Sequence, residues 1–142
     1  MTYAQRGDRP CSQAEQDRVM LRVWTAYRCF TLGAAGREEW ADVADALNID
    51  EALCAIEKLD AATVMPLVTK AQAGMVAAMR CAPGPMVMAA DELEALRQVC
   101  DRYDVALHRF SVSTLNLARS HYLGQLVKQA ISPDRSAMVV MA

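Results

Sequence analysis

From Leu93 onward the chain carries an apolar seam through Leu96, Cys100, Tyr103, Leu107, Phe110, Thr114, Leu117 and His121, in alternating steps of three and four. That spacing is the heptad pattern of a helix packing lengthwise against a partner. Between Asp91 and Ile131 there is no proline, and Gly124 is the one glycine. An unbroken helix of that extent rises roughly 60 Å at about 1.5 Å per residue, about twice the width of a small domain. Such a helix either breaks and folds back or projects to meet a second molecule.

The rest of the chain is compatible with a helical body for that element to join. Its 142 residues fit one domain, and the 54% hydrophobic fraction belongs to a globular chain. Alanine is abundant, and glycine and proline fall between helix-patterned segments. The class expected is all-α. A net charge of −2 and a pI near 5.6 argue against a nucleic-acid binder, which shows a basic excess. Cys11, Cys29, Cys54, Cys81 and Cys100 are odd in number, widely spaced and without a C-x-x-C pair. They point to free thiols in a reducing, cytoplasmic compartment, with neither a disulfide framework nor a metal site. No apolar run approaches the roughly 20 residues of a membrane span, and the polar N-terminus does not read as a secretory signal.

Residues 1–11 read as a mobile arm and 132–142 as an apolar tail, around a single domain at 12–131. Ser12-Gln13-Ala14-Glu15 matches the capping box that opens a helix. Helix 1 is expected from Ser12 to Leu32, stopping at Gly33, with Val19, Met20, Val23, Trp24 and Tyr27 inward. A second helix is expected from Arg37 to Leu47. A turn at Asn48-Ile49-Asp50 follows, since Asn suits a C-terminal cap and Asp an N-cap. A short third helix then covers Glu51 to Leu59. The fourth starts near Thr63, tolerates Pro66 in its first turn, and ends before Ala82-Pro83-Gly84-Pro85. Asp91 and Glu92 lie where the long helix presents its positive dipole end.

Trp40…Val43-Ala44…Ala46-Leu47-Asn48, then Ala71-Gln72, Asp91-Glu92-Leu93 and Tyr103-Asp104-x-x-Leu107 form a series spread from Leu21 to Arg119. In that order the chain resembles small all-helical proteins carried on phages, plasmids and other mobile elements of proteobacteria. The resemblance implies no activity. It implies a setting: a bacterial or phage cytosolic protein acting as an accessory factor.

Chemistry-bearing residues are few. Segment 37–59 has the spacing of a helix-turn-helix. Its second helix would present Asp50, Glu51, Glu57 and Asp60 to DNA against Lys58 alone, so a core hairpin is the preferred reading. Asp101, Asp104 and His108 can share a helix face, and with Cys100 resemble metal ligands. No second helix supplies the matching Glu-x-x-His, and an exposed Asp104–His108 pair is preferred. His121 on the seam reads as a packing histidine. Phosphate loops, nucleophile elbows and H-E-x-x-H do not occur. Met75 and Met79 read as core, while Met86 and Met88 stay open between core and adaptable surface.

The architecture expected is therefore an all-α bundle of four or five helices with the long C-terminal helix as spine. The function expected is a non-enzymatic protein, with no cofactor and no metal, that binds another protein. The alternatives are a DNA-binding regulator using 37–59 and a small-molecule or metal-binding helical domain. A homodimer is expected through Leu115, Ala118, Tyr122, Leu126, Val127 and Ile131, apolar positions that no later helix covers. The competing arrangement is a break at Ser111-Val112-Ser113-Thr114, where hydroxyls cap well and a last helix folds back on its own chain.

Overall fold

The computed structural model describes residues 9–57 and 61–131, with side chains through 56 and from 61 to 121. Five helices follow one another: α1 (Gln13–Thr31), α2 (Arg37–Glu57), α3 (Ala61–Arg80), α4 (Ala90–Arg109) and α5 (Val112–Ile131). The chain is all-helical among the described residues, and none of these helices is long and apolar enough to cross a membrane.

Local chemistry sets the start and stop of α1. The Ser12 hydroxyl accepts the Glu15 N–H at 3.1 Å, and the Ser12 N–H donates back to Glu15 Oε1 at 3.0 Å. Two of the unpaired donors at the helix start are thereby satisfied. At the other end Leu32 donates to Arg28 O, and Gly33 turns the chain away at φ +69°, a conformation glycine adopts without steric cost. The buried positions are Gln16, Met20, Val23, Ala26 and Phe30. Trp24 and Tyr27, expected inward, sit half-buried at the edge and meet edge-to-face at 5.7 Å.

The central element is α2, which packs against α1, α3, α4 and α5 alike. Ala46, Leu47, Asn48, Ile49 and Asp50 are all buried, five in a row. A run of five covers more than a full turn, so α2 is enclosed on every side. The turn expected at Asn48–Asp50 is absent, and the two expected helices are one through Glu57. Asn and Asp favour caps only by modest free energies, and packing on all sides outweighs that preference. The expected helix end at Leu59 lies outside the described residues.

Two bonds fix α2 to α3. The Trp40 indole N–H donates to Met75 O at 2.9 Å in the core, and the Gln72 amide donates to Glu51 Oε2 at 2.6 Å. α3 begins at Ala61, so Pro66 lies beyond its first turn. It ends at Arg80, and residues 81–89 are turn and extended chain, as the two prolines require. Met86 and Met88 dip back from that connection into the core. Gly74 lets α3 approach α4 closely: a β-carbon there would stand 2.7 Å from Met88 Cε and 2.9 Å from Glu92 Cβ.

The long spine helix is two helices. α4 stops at Arg109, Phe110 is extended, and Ser111 opens α5 by accepting the Thr114 N–H on its hydroxyl at 3.2 Å. Pro10 pairs with Ser111 as an isolated bridge, and the Val112 N–H donates to Arg9 O at 2.6 Å. Residues 9–11, at the end of the expected arm, are thus tied to the corner. α5 folds back onto α2, and the seam shifts by one residue: Ser111 and Ala118 are buried, whereas Leu117 and His121 are exposed.

Two substitutions test this packing. Gly74→Leu is expected to lower stability by about 1–3 kcal/mol through overpacking against Met88 and Glu92, read as a lower urea midpoint with an unchanged slope. Ser111→Ala removes the α5 cap and is expected to cost about 1 kcal/mol. An unchanged midpoint for Ser111→Ala would remove the cap as the cause of the corner.

Candidate functional site

Three groups of side chains stand out: the expected chemical residues, a buried polar set on α2, and a cleft where α1, α2, α4 and α5 meet.

Asp101, Asp104 and His108 lie along the outer side of α4, and Cys100 is turned into the core with no exposure. His108 Nδ1 is 2.9 Å from Asp104 O and 3.6 Å from Asp104 Oδ1. Asp101 accepts from Arg97 at 2.8 Å, and Arg97 also holds Glu94 at 2.7 Å. These are exposed pairs along one helix. Among the described residues no three His, Cys, Asp or Glu side chains gather as metal ligands would. The five cysteines are free thiols. Burial, with Asp50 and Asp101 nearby, pushes the Cys100 thiol up to about 12, which leaves it protonated and unreactive.

The segment read as a helix-turn-helix has no turn. Asp50, placed in its second helix, is 4% exposed, and Glu51 is engaged by Gln72. Neither is presented to a DNA groove.

Of the expected interface, Ala118 is fully buried and Leu115 packs against the core of its own chain. Ala118 is thus enclosed within its own chain, while Leu115 is half-buried beside α5's exposed positions. The side chains of Tyr122, Leu126, Val127 and Ile131 lie outside the described residues. His121, expected to pack, points to solvent because the break moves it off the seam.

The enclosure of α2 buries polar atoms. Both side-chain polar atoms of Asn48, Asp50 Oδ2 and Gln16 Oε1 are buried without a hydrogen-bond partner. Burial pushes the Asp50 carboxyl well above the usual carboxylate range, and Arg102 pulls the other way. A carboxyl raised in the folded state adds stability that is fully present below its unfolded value, near 3.8. That stability is lost as pH rises through the folded value. Asp50→Asn removes this titration. The native chain is therefore expected to lose about 1–3 kcal/mol against Asp50→Asn between about pH 4 and about pH 7. Urea unfolding of both proteins at the two pH values checks the sign, and a difference that stays constant contradicts it.

The cleft is lined by Val19, Ile49, Leu107 and Leu115 on its apolar walls. Tyr103, Asn116, Arg119 and Glu15 are its polar lining residues, and Cys11 and Val112 complete the lining. Its volume is about 160 Å³. Glu15 is already engaged: Arg9 donates to it at 2.6 and 3.1 Å, and with the Ser12 contacts this holds its carboxyl at about 2. Arg119 stands 3.9 Å from Asp45. Burial is the main cause that holds the Tyr103 hydroxyl protonated, aided by Asp45 and opposed by Arg119. The sequence gives no local signal for this cleft, because its walls come from residues 11 to 119.

A second surface lies on α1. Leu21 is 71% exposed and Leu32 67%. Eleven residues is about three turns, so the two share one side of the helix. Trp24 and exposed Arg28 lie between them. The signal was readable in the sequence as two leucines of matching phase off the inner face.

Comparison with known proteins gives no matching protein family, no matching curated protein and no matching solved structure.

Proposed function

We propose that the chain is a non-enzymatic interaction protein that works by binding another protein. The observation that carries this is the outer side of α1, where Leu21, Trp24 and Leu32 stand along one line with Arg28. Exposed Leu21 and Leu32 flanking a half-buried Trp24 on one helix face suit a groove on a partner, and Trp and Arg are the residues that most often dominate such contacts. Edge-to-face contact with Tyr27 supports Trp24 in place. Cys100 and Asp50 are held toward neutral forms inside the core, away from the cleft lining. Of the shifted groups that do line the cleft, Glu15 is tied to Arg9 and Ser12, and burial keeps Tyr103 protonated. The setting of that role, a cytoplasmic accessory factor of a bacterial mobile element, rests on the sequence resemblance. Self-pairing is one form the interaction can take, and sedimentation equilibrium at micromolar concentration reads it directly.

The test is a paired capture from a bacterial lysate with the native chain and with Leu21→Glu/Leu32→Glu. Both substitutions are at exposed positions, so stability should stay within about 0.5 kcal/mol. The expected outcome is one protein retained by the native chain and lost by the variant at equal helicity. Identical retention by both, or none by the native chain, would sink the proposal.

A further inference from the structure

We propose that the cleft between α1, α2, α4 and α5 binds a small monocarboxylate with an apolar body, the carboxylate seated on Arg119. This goes beyond the protein-binding role and uses a different surface.

Size restricts the body of the ligand. A volume of about 160 Å³ is close to the roughly 150 Å³ cavity that accommodates benzene. One six-membered ring with a short substituent fits. Val19, Ile49, Leu107 and Leu115 surround that space with aliphatic carbon, which favours an apolar ring or branched chain over a sugar or a nucleoside.

Charge restricts the head group. Three acidic residues stand near the cleft: Glu15, Asp45 and Asp50. Asp50 is held toward its neutral form by burial, and the other two each have a cation. Glu15 is neutralised by the two bonds from Arg9. Asp45 faces Arg119, with Arg22 also acting on it. The Arg119–Asp45 separation of 3.9 Å exceeds the roughly 2.7–2.9 Å of a charge-assisted hydrogen bond. The guanidinium has five donors, and Asp45 does not use them at that distance. Arg119 and Asn116 are three apart on α5, so both reach the same end of the cleft. Tyr103 lines the same cleft from α4, and burial keeps its hydroxyl protonated. The cleft thus carries donor-bearing residues of two helices, Arg119 and Asn116 from α5 and Tyr103 from α4, and a carboxylate is the small group that accepts from such donors. A guanidinium can hold two carboxylates, so Asp45 is no bar to the second.

The experiment uses the full chain labelled with nitrogen-15 and three probes of equal size: benzoate, benzyl alcohol and benzylamine. Benzoate is expected to shift the backbone amides of Val112, Leu115, Asn116 and Tyr103, saturating at about millimolar concentration. It should bind roughly tenfold or more tightly than benzyl alcohol, the difference a hydrogen bond to a charged group makes. Arg119→Gln, at an exposed position, should bring benzoate down to the level of the alcohol. Asn116→Trp, which blocks the mouth from another exposed position, should abolish both. Absence of benzoate shifts at tens of millimolar overturns the proposal. So does equal or tighter binding of benzylamine, or a benzoate affinity that Arg119→Gln leaves unchanged. Equal binding of all three probes would make the cleft an apolar hole without an anion seat, and overturns it as well.

Discussion

The rest of the structure depends on the enclosure of α2. Four helices cover it, and its residues 46–50 have no solvent side. A helix in that position needs no amphipathic stripe, because every direction is core. It does need its ends and its polar groups accommodated. The Gly36 N–H donates to Glu39 Oε1 at the start, and the Trp40 indole finds Met75 O across the interface. Asn48 and Asp50 are not accommodated in this way, and their orphaned atoms are a cost of running one helix through the middle. The surrounding apolar contacts of Leu47, Ile49, Val68, Met75 and Leu96 outweigh that cost.

Covering α2 completely needs a fourth neighbour, and the corner at Phe110–Ser111 provides it. A straight α4 continuing past Arg109 would leave one side of α2 in water. Extended backbone at Phe110 and the Ser111 cap reverse the chain, and α5 packs on α2 with the small side chain of Ala118 fully buried. The segment before α1 completes the corner through Arg9 and Pro10. Gln16 adds a bond across it, donating to Leu107 O at 3.4 Å and to Cys11 O at 3.1 Å. The cleft is the space left where these pieces meet but do not close.

Features decided within a few residues were legible in the sequence. The Ser12 capping box, the stop at Gly33 and the interruption after Arg80 all follow from groups within one turn of one another. The seam from Leu93 to Phe110 was legible too, since one amphipathic helix leaves its own periodicity. Asn48 and Asp50 misled because local rules score them as caps, and their burial is decided by α1, α3, α4 and α5 together. The seam across Phe110 misled for another reason. Thr114, Leu117 and His121 keep the three–four spacing by coincidence, while the helix that packs uses Ser111 and Ala118. The hydroxyls at Ser111 and Thr114 marked the break, but spacing alone does not rank a cap against a continuing heptad. The cleft had no linear signature, because Glu15, Ile49, Tyr103 and Arg119 become neighbours only when the fold is complete.

The same geometry bears on how the two proposed surfaces relate. α5 packs extensively on α2, and its N-terminal corner is held by the chain before α1. The cleft sits between that corner and the α1–α4 pair. A ligand seated on Arg119 and against Val19 and Leu107 would therefore join α5 to α1 and α4, where direct packing is thinner than at α2. Ligand binding to the folded chain alone stabilises it by mass action, and here the gain would fall on the seating of α5. The outer side of α1, with Leu21 and Leu32, faces away from this junction. α1 is thus the one element that contributes to both surfaces: its inner edge, through Val19 and Glu15, to the cleft, and its outer side to a partner. Coupling between the two sites would need a shift of α1 as a body. Gln16 donating to Leu107 O, and Met20, Val23, Ala26 and Phe30 buried in the core, resist such a shift, so the structure favours two independent surfaces over a relay.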